Sequence, residues 1–274
     1  MEQGTAFGRD GVHIVRNFLS DGSLGALNQE LDLLFSSISC NGSAYSTVID
    51  RTLRSVSLPT LIRSVNLLEV VLDVIDEFGR ADPDFLQRDY ILTNLDIFLE
   101  SHNPIPLFWH TDNRKGMLRA SIYLKGGTES SGQFRYMQGT HHRDYHVTHK
   151  LSPDQIRELS NRIVDCEAPE GSLILFDPMG FHAKKPCTAQ RRLLMIELQP
   201  RGANYPKART LLPSNCLSER VLKNIHYFSD PDFSSPQPHG MEAYLKSPPA
   251  LPISFLWGQL MSVALSSVKR RLVR

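Results

Sequence analysis

Gly171-Ser172-Leu173-Ile174-Leu175-Phe176-Asp177-Pro178-Met179-Gly180-Phe181-His182 is the stretch from which the fold can be read. A glycine opens it, an uncharged apolar run follows, and Asp-Pro closes it. This is the pattern of a buried strand entering a turn, and the turn delivers a histidine. Similar short runs rich in Ile, Leu, Val, Tyr and Phe occupy 90–99, 117–125, 133–138 and 192–199, separated by Gly, Pro, Asn and Asp. Short strands with such punctuation predict a β-sandwich or barrel.

Upstream the texture differs. Residues 11–19 read as a short strand, Ser20-Asp21-Gly22-Ser23 as a turn, and the next segment as a helix with Leu24, Leu27, Leu31, Leu34 and Phe35 on one face. A second helix is expected from Pro59 towards Gly79. One helix interrupts the strands, where Ser152-Pro153-Asp154-Gln155 combines a cap, a first-turn proline and a capping-box glutamine. Helices first and strands second predict an α+β domain over 1–200, its helices packed outside a two-sheet core at about 89–200.

An extension, 201–274, follows. Its first part is irregular and rich in Pro and Ser. Its last segment, 255–274, draws as a helix with Trp257, Leu260, Met261, Ala264, Leu265, Val268 and Leu272 on one side and Lys269, Arg270, Arg271 and Arg274 at its end. It fits three roles: packing on the domain (the expected one), lying on an anionic membrane surface, or binding a partner helix.

The totals exclude several classes. With 274 residues, 41% of them apolar, the chain can bury a sizeable core. The balance of 30 Lys+Arg against 29 Asp+Glu removes any global charge argument for a nucleic-acid partner. Cys40, Cys166, Cys187 and Cys216 lie far apart, without the paired spacing of structural zinc sites. The start Met1-Glu2-Gln3-Gly4 lacks the features of a secretory signal, and no run of 18 apolar residues exists. The expectation is a cytoplasmic protein with reduced thiols.

Chemistry concentrates at Trp109-His110-Thr111-Asp112. In an extended segment, residues two apart share a face, so His110 and Asp112 can reach one metal ion. The third candidate ligand is His182. Two imidazoles and one carboxylate on one face of an octahedral metal leave the opposite face open, the arrangement of non-haem Fe(II) oxygenases. Arg192 opens the strand Arg192-Leu193-Leu194-Met195-Ile196-Glu197, ten residues after His182. Its guanidinium fork suits a carboxylate such as the far end of 2-oxoglutarate.

These residues resemble the phytanoyl-CoA dioxygenase family of Fe(II)/2-oxoglutarate oxygenases. Phe7-Gly8-Arg9-Asp10-Gly11-Val12-His13-Ile14-Val15-Arg16-Asn17-Phe18-Leu19-Ser20 is similar to the family's first strand and turn, and the Trp-His-x-Asp follows in order. Ser131-Gly132-Gln133-Phe134-Arg135-Tyr136-Met137-Gln138-Gly139-Thr140-His141 and Gly171–His182 resemble two further family stretches, so the likeness spans about 5–200. It implies a double-stranded β-helix (jelly roll) with His110, Asp112 and His182 as iron ligands. It also implies Arg192 as the 2-oxoglutarate anchor, Pro186 and Thr188 being similar to a His-to-Arg connection that favours Arg192 over Arg191. Two positions depart from the family: Lys184 stands where Ser is common, and Gln138 where Pro is.

The resemblance implies hydroxylation of a small-molecule or lipid- or saccharide-linked substrate with O2, releasing succinate and CO2. Related halogenases replace the carboxylate ligand by a small residue; Asp112 fills that position here. The competing readings are a zinc hydrolase on the same three side chains and a catalytically silent jelly-roll binding module. His141, His142, His146 and His149 are either a polar loop, the expected reading, or a second metal site.

Overall fold

A computed structural model of the chain describes residues 4–39, 51–54, 67–85, 90–100, 107–112, 116–142, 151–200, 212–213 and 229–230. Its contacts form two units, Met1–Ser235 and Pro236–Arg274. The helix expected over 255–274, and His146 and His149, lie outside the described residues. No described helix is long and apolar enough to cross a membrane.

Strands β1 (Val12–Val15), β2 (Arg51–Arg54), β3 (Tyr90–Glu100), β5 (Leu118–Lys125), β8 (Leu173–Phe176) and β10 (Arg191–Pro200) form one antiparallel sheet in the order β1-β8-β5-β10-β3-β2. Strands β4 (Leu107–His110), β6 (Phe134–Met137), β7 (Ile163–Asp165) and β9 (His182–Lys184) form a second, in the order β4-β9-β6-β7. A short parallel pair, β11 (Leu212–Pro213) and β12 (Ser229–Asp230), stands apart. Two facing antiparallel sheets with flanking helices make the predicted α+β jelly roll. In β8 all four side chains are buried, which is why its sequence shows no polar alternation.

One core cluster joins the two sheets: Val12, Tyr123, Ile174, Phe176 and Leu193 from the larger, Tyr136 from the smaller, with Cys166 and Ala168. A second joins Trp109, Met137 and Ala183 of the smaller sheet, and Phe181 just before β9, to Leu151, Ile156 and Leu159, from the segment holding helix α4 (Pro153–Glu158). The Ser152 hydroxyl accepts from the Gln155 amide, and the Gln155 side chain accepts from the Ser152 amide, the capping box read from sequence.

Helix α2 (Asp21–Ser39) buries Leu27 and Leu31 and holds β5 through an Asn28 Nδ2 donation to Leu124 O at 2.6 Å. Helix α3 (Leu67–Ala81) buries Val70, Val71, Val74, Ile75 and Phe78 at helical spacing. It continues through Gly79, the expected stop, with Phe78 and Ala81 buried on either side. The amino-terminal segment also differs from expectation. Gly4–Asp10 is a helix, α1, and β1 ends at Val15 because Asn17 takes a left-handed φ of 55°. Phe7 of α1 meets Phe78 edge to face at 5.8 Å, and Phe78, Phe85 and Tyr90 stack in turn with ring centroids 5.3 and 4.8 Å apart.

Candidate active site

β4 and β9 are antiparallel neighbours, and their register sets His110 directly opposite His182. The rings lie 4.3 Å apart, centroid to centroid. Asp112 follows β4, and its amide donates to Pro178 O at 2.9 Å, in the turn between β8 and β9. Asp112 Oδ1 lies 3.7 Å from His110 Nε2, and Oδ2 lies 3.8 Å from His182 Nε2. One ligand atom from each residue falls within 4.8 Å of the others. Among the described residues this is the cluster able to hold a metal ion.

Each imidazole is aimed by its own backbone. Nδ1 of His110 is 2.8 Å from Phe108 O, and Nδ1 of His182 is 2.9 Å from Gly180 O. A carbonyl can only accept, so both Nδ1 atoms carry the proton and both Nε2 lone pairs face Asp112. Burial, then the neighbouring His110, push the His182 imidazole down to about 4, so it is neutral and able to ligate at neutral pH. Phe134 and Phe176 flank its ring at centroid distances of 5.7 and 5.4 Å and keep water from that side.

Asp112 has a partner absent from the sequence reading. Arg119, at the start of β5, donates Nη1 to Asp112 Oδ2 and Nη2 to Glu197 Oε1 at 2.6 Å. Arg119 and Glu197 are cross-strand neighbours on β5 and β10. The alternation of Arg119, Ser121 and Tyr123 with Leu118, Ala120 and Ile122 was the available signal for a polar inner face.

The two tandem arginines part company. Leu193 points into the core between the sheets, so Arg191 shares its face and Arg192 takes the other. Arg192 reaches α2, bonding Asn28 O at 3.1 Å, Asn28 Oδ1 at 2.8 Å and Asp32 Oδ1. The guanidinium expected to anchor the co-substrate is thus turned away from the triad. Arg191 is 7% exposed and donates Nη1 to Gly132 O at 2.7 Å, beside β6. On β9, Ala183 belongs to the outer cluster, which returns Lys184, also 7% exposed, to the face of His182.

His141 and His142 stack at 3.9 Å in the turn Thr140–His142, and Nε2 of His141 bonds Gly8 O at 3.0 Å. Burial lowers the His141 pKa. Its role among the described residues is to tie this turn to α1. Cys166 is a buried thiol, pushed up to about 12 by burial, and inert.

Residues 106–193, which contain all three candidate ligands, match the family model described as phytanoyl-CoA dioxygenase (PhyH). No curated protein matches. Solved structures share the fold. EctD from S. alaskensis, with 2-oxoglutarate and 5-hydroxyectoine, aligns with a TM-score of 0.56 at 17% identity over 76% of this chain and 78% of its own. HygX from Streptomyces hygroscopicus, with nickel, 2-oxoglutarate and hygromycin B, aligns with a TM-score of 0.54 at 15% identity over 79% and 94%. The α-ketoglutarate-dependent carbocyclase SnoK from nogalamycin biosynthesis aligns with a TM-score of 0.58 at 15% identity over 74% and 85%.

Proposed function

We infer that this chain is a non-haem oxygenase of the phytanoyl-CoA dioxygenase family, dependent on Fe(II) and 2-oxoglutarate and acting on a small molecule. The observation that carries the reading is the meeting of His110, Asp112 and His182, with both Nε2 atoms and the carboxylate facing one point. Two imidazoles and a carboxylate suit Fe(II), and the three leave half of an octahedral shell open.

Beside the triad the interior face carries two cations in addition to Arg119, which is engaged with Asp112. Lys184 lies two residues beyond His182, roughly 6.5–7 Å along the strand. Arg191 lies further on, where its guanidinium bonds the carbonyl of Gly132, two residues before the Phe134 that pairs with Lys184. A five-carbon diacid bound to the metal through its keto end would extend its far carboxylate towards these side chains. We assign that carboxylate to Lys184 and Arg191, in place of the Arg192 expected from spacing. A zinc-bound water would have no use for such a pair, which favours the oxygenase over the hydrolase.

When bound, Fe(II) and 2-oxoglutarate supply the dioxygen chemistry that oxidises a substrate C–H bond, with succinate and CO2 as co-products. The chain's own part is to hold the ion with His110, Asp112 and His182, to orient the diacid, and to keep the His182 side dry with Phe134 and Phe176. Hydroxylation is the outcome proposed, since Asp112 occupies the position that halogenases leave to a halide. Asp112→Ala is expected to abolish Fe(II)-dependent succinate formation in a substrate-library screen with ascorbate. Turnover in that variant at the wild-type rate would remove the proposal.

A further inference from the structure

We propose that Arg119, set in place by Glu197, is a positioning residue that makes Asp112 bind its metal through one oxygen only. This rests on the reading of the triad as a metal centre and names what controls that centre.

The geometry is a part-buried ion-pair network of three side chains. Arg119 is 17% exposed at its side chain, Asp112 18% and Glu197 8%. The guanidinium spans the two carboxylates, with Nη1 on Asp112 Oδ2 and Nη2 on Glu197 Oε1. Glu197 is itself fixed, as its backbone carbonyl accepts from Thr93 Oγ1 at 3.3 Å and its strand pairs with β5 at Arg119. Burying three charges costs desolvation that a purely structural role could avoid with apolar residues. The triad also stands where a carboxylate must choose how to bind.

That choice decides how many positions the ion has left. A six-coordinate ion held by two imidazoles and both oxygens of one carboxylate keeps two open positions. A chelating diacid would fill both and leave none for dioxygen. With Oδ2 held by the Arg119 guanidinium, binding through both oxygens would make the ion share Oδ2 with a cation, so the carboxylate is biased towards binding through Oδ1 and three positions stay open. Glu197 has a second effect. Asp112 and Arg119 together would carry no net charge and attract a dication weakly; Glu197 restores one negative charge to the group.

The two effects separate in different variants, measured on full-length protein with Co(II) as a spectroscopic probe and Mn(II) in calorimetry. Glu197→Gln removes the compensating charge, and its Mn(II) dissociation constant is expected to rise roughly 10- to 100-fold, as for other partners that orient ligands. Arg119→Met leaves Glu197 buried without its cation, so the double variant Arg119→Met/Glu197→Gln is the cleaner test. It keeps one negative charge at the site but frees Oδ2, because a thioether has no N–H to donate. Its Co(II) ligand-field spectrum is expected to shift towards higher carboxylate denticity, with 2-oxoglutarate no longer perturbing it as in the wild type. A double variant that reproduces the wild-type Co(II) spectrum and its response to 2-oxoglutarate overturns the role of Arg119 alone. Wild-type protein that binds no Co(II) at all removes the metal centre and this role together.

Discussion

At the scale of single residues, the tandem Arg191-Arg192 carries the sharpest contrast. Strand alternation gives one guanidinium to the interior and the other to α2, so identical substitutions should have different consequences. Arg191→Gln is expected to raise the KM for 2-oxoglutarate roughly 10- to 100-fold, the equivalent of a charge-assisted hydrogen bond worth roughly 1.5–3 kcal/mol. Arg192→Gln should leave that KM unchanged and lower stability by on the order of 1 kcal/mol, discounted because Asp32 is exposed. Steady-state kinetics with varied 2-oxoglutarate and thermal melts of both variants check this; a KM effect confined to Arg192→Gln would reverse the assignment. His110, Asp112 and His182 were legible because Trp-His-x-Asp and Phe-His carry their chemistry in the residue types themselves. The arginines were not. Leu193 and Leu194 are both buried next to the arginines, and the polar alternation of β10, Glu197 and Gln199 against Ile196 and Leu198, lies at its far end, so the pair itself carries no local sign of its phase. Arg119 and Glu197 are brought together by a pairing between strands 78 residues apart, which neither local stretch reveals.

At the scale of elements, the turn between β8 and β9 places a ligand in a tightly packed setting. Gly180 supplies the carbonyl that fixes His182, and a Cβ there would lie 1.9 Å from the hydroxyl of Tyr136. That hydroxyl is occupied, donating to Asp177 O at 2.8 Å, and Tyr136 is buried. Gly180→Ala is therefore expected to cost about 1–3 kcal/mol through overpacking. It should also weaken metal binding by displacing the His182 ring; calorimetry with Mn(II) alongside thermal melts would show both, and an unchanged dissociation constant would contradict the coupling. Most strands were legible from their apolar runs, and α4 from its cap. β2, β7 and β9 were not, being three or four residues each and carrying no apolar run of their own. α1 is not legible because Gly4–Asp10 holds two glycines and too few residues for a helical period to show.

At the scale of the whole molecule, the triad ties two distant parts of the chain across one sheet, so metal binding and folding are linked. His182 takes its depressed value only when buried; an unfolded chain regains the ordinary 6.5. Between about 6.5 and about 4 the unfolded state takes up the proton first, so the metal-free protein is expected to lose stability as pH falls through that window and to hold it above. Metal at a hundred times its dissociation constant adds about 2.7 kcal/mol, or roughly 5–10 °C in Tm for a domain of this size. Melts at pH 7 with Mn(II) and with a chelator, repeated on Asp112→Ala, test the linkage. A shift that survives in the variant would place the stabilising ion elsewhere. The two-sheet architecture was legible because the strand-rich half and the helical half differ in texture along the chain; the facing of the sheets, which decides what reaches the ion, depends on contacts no single segment contains.

Both imidazoles are tethered through Nδ1 to a carbonyl two residues upstream, and neither ring can turn over without breaking that tether. The lone pairs therefore stay trained on one spot whether or not an ion has arrived, and loading demands little rearrangement of the backbone. Crystals grown without metal should survive soaking in different divalent salts with their lattice unchanged, so that anomalous scattering can identify each occupant in turn.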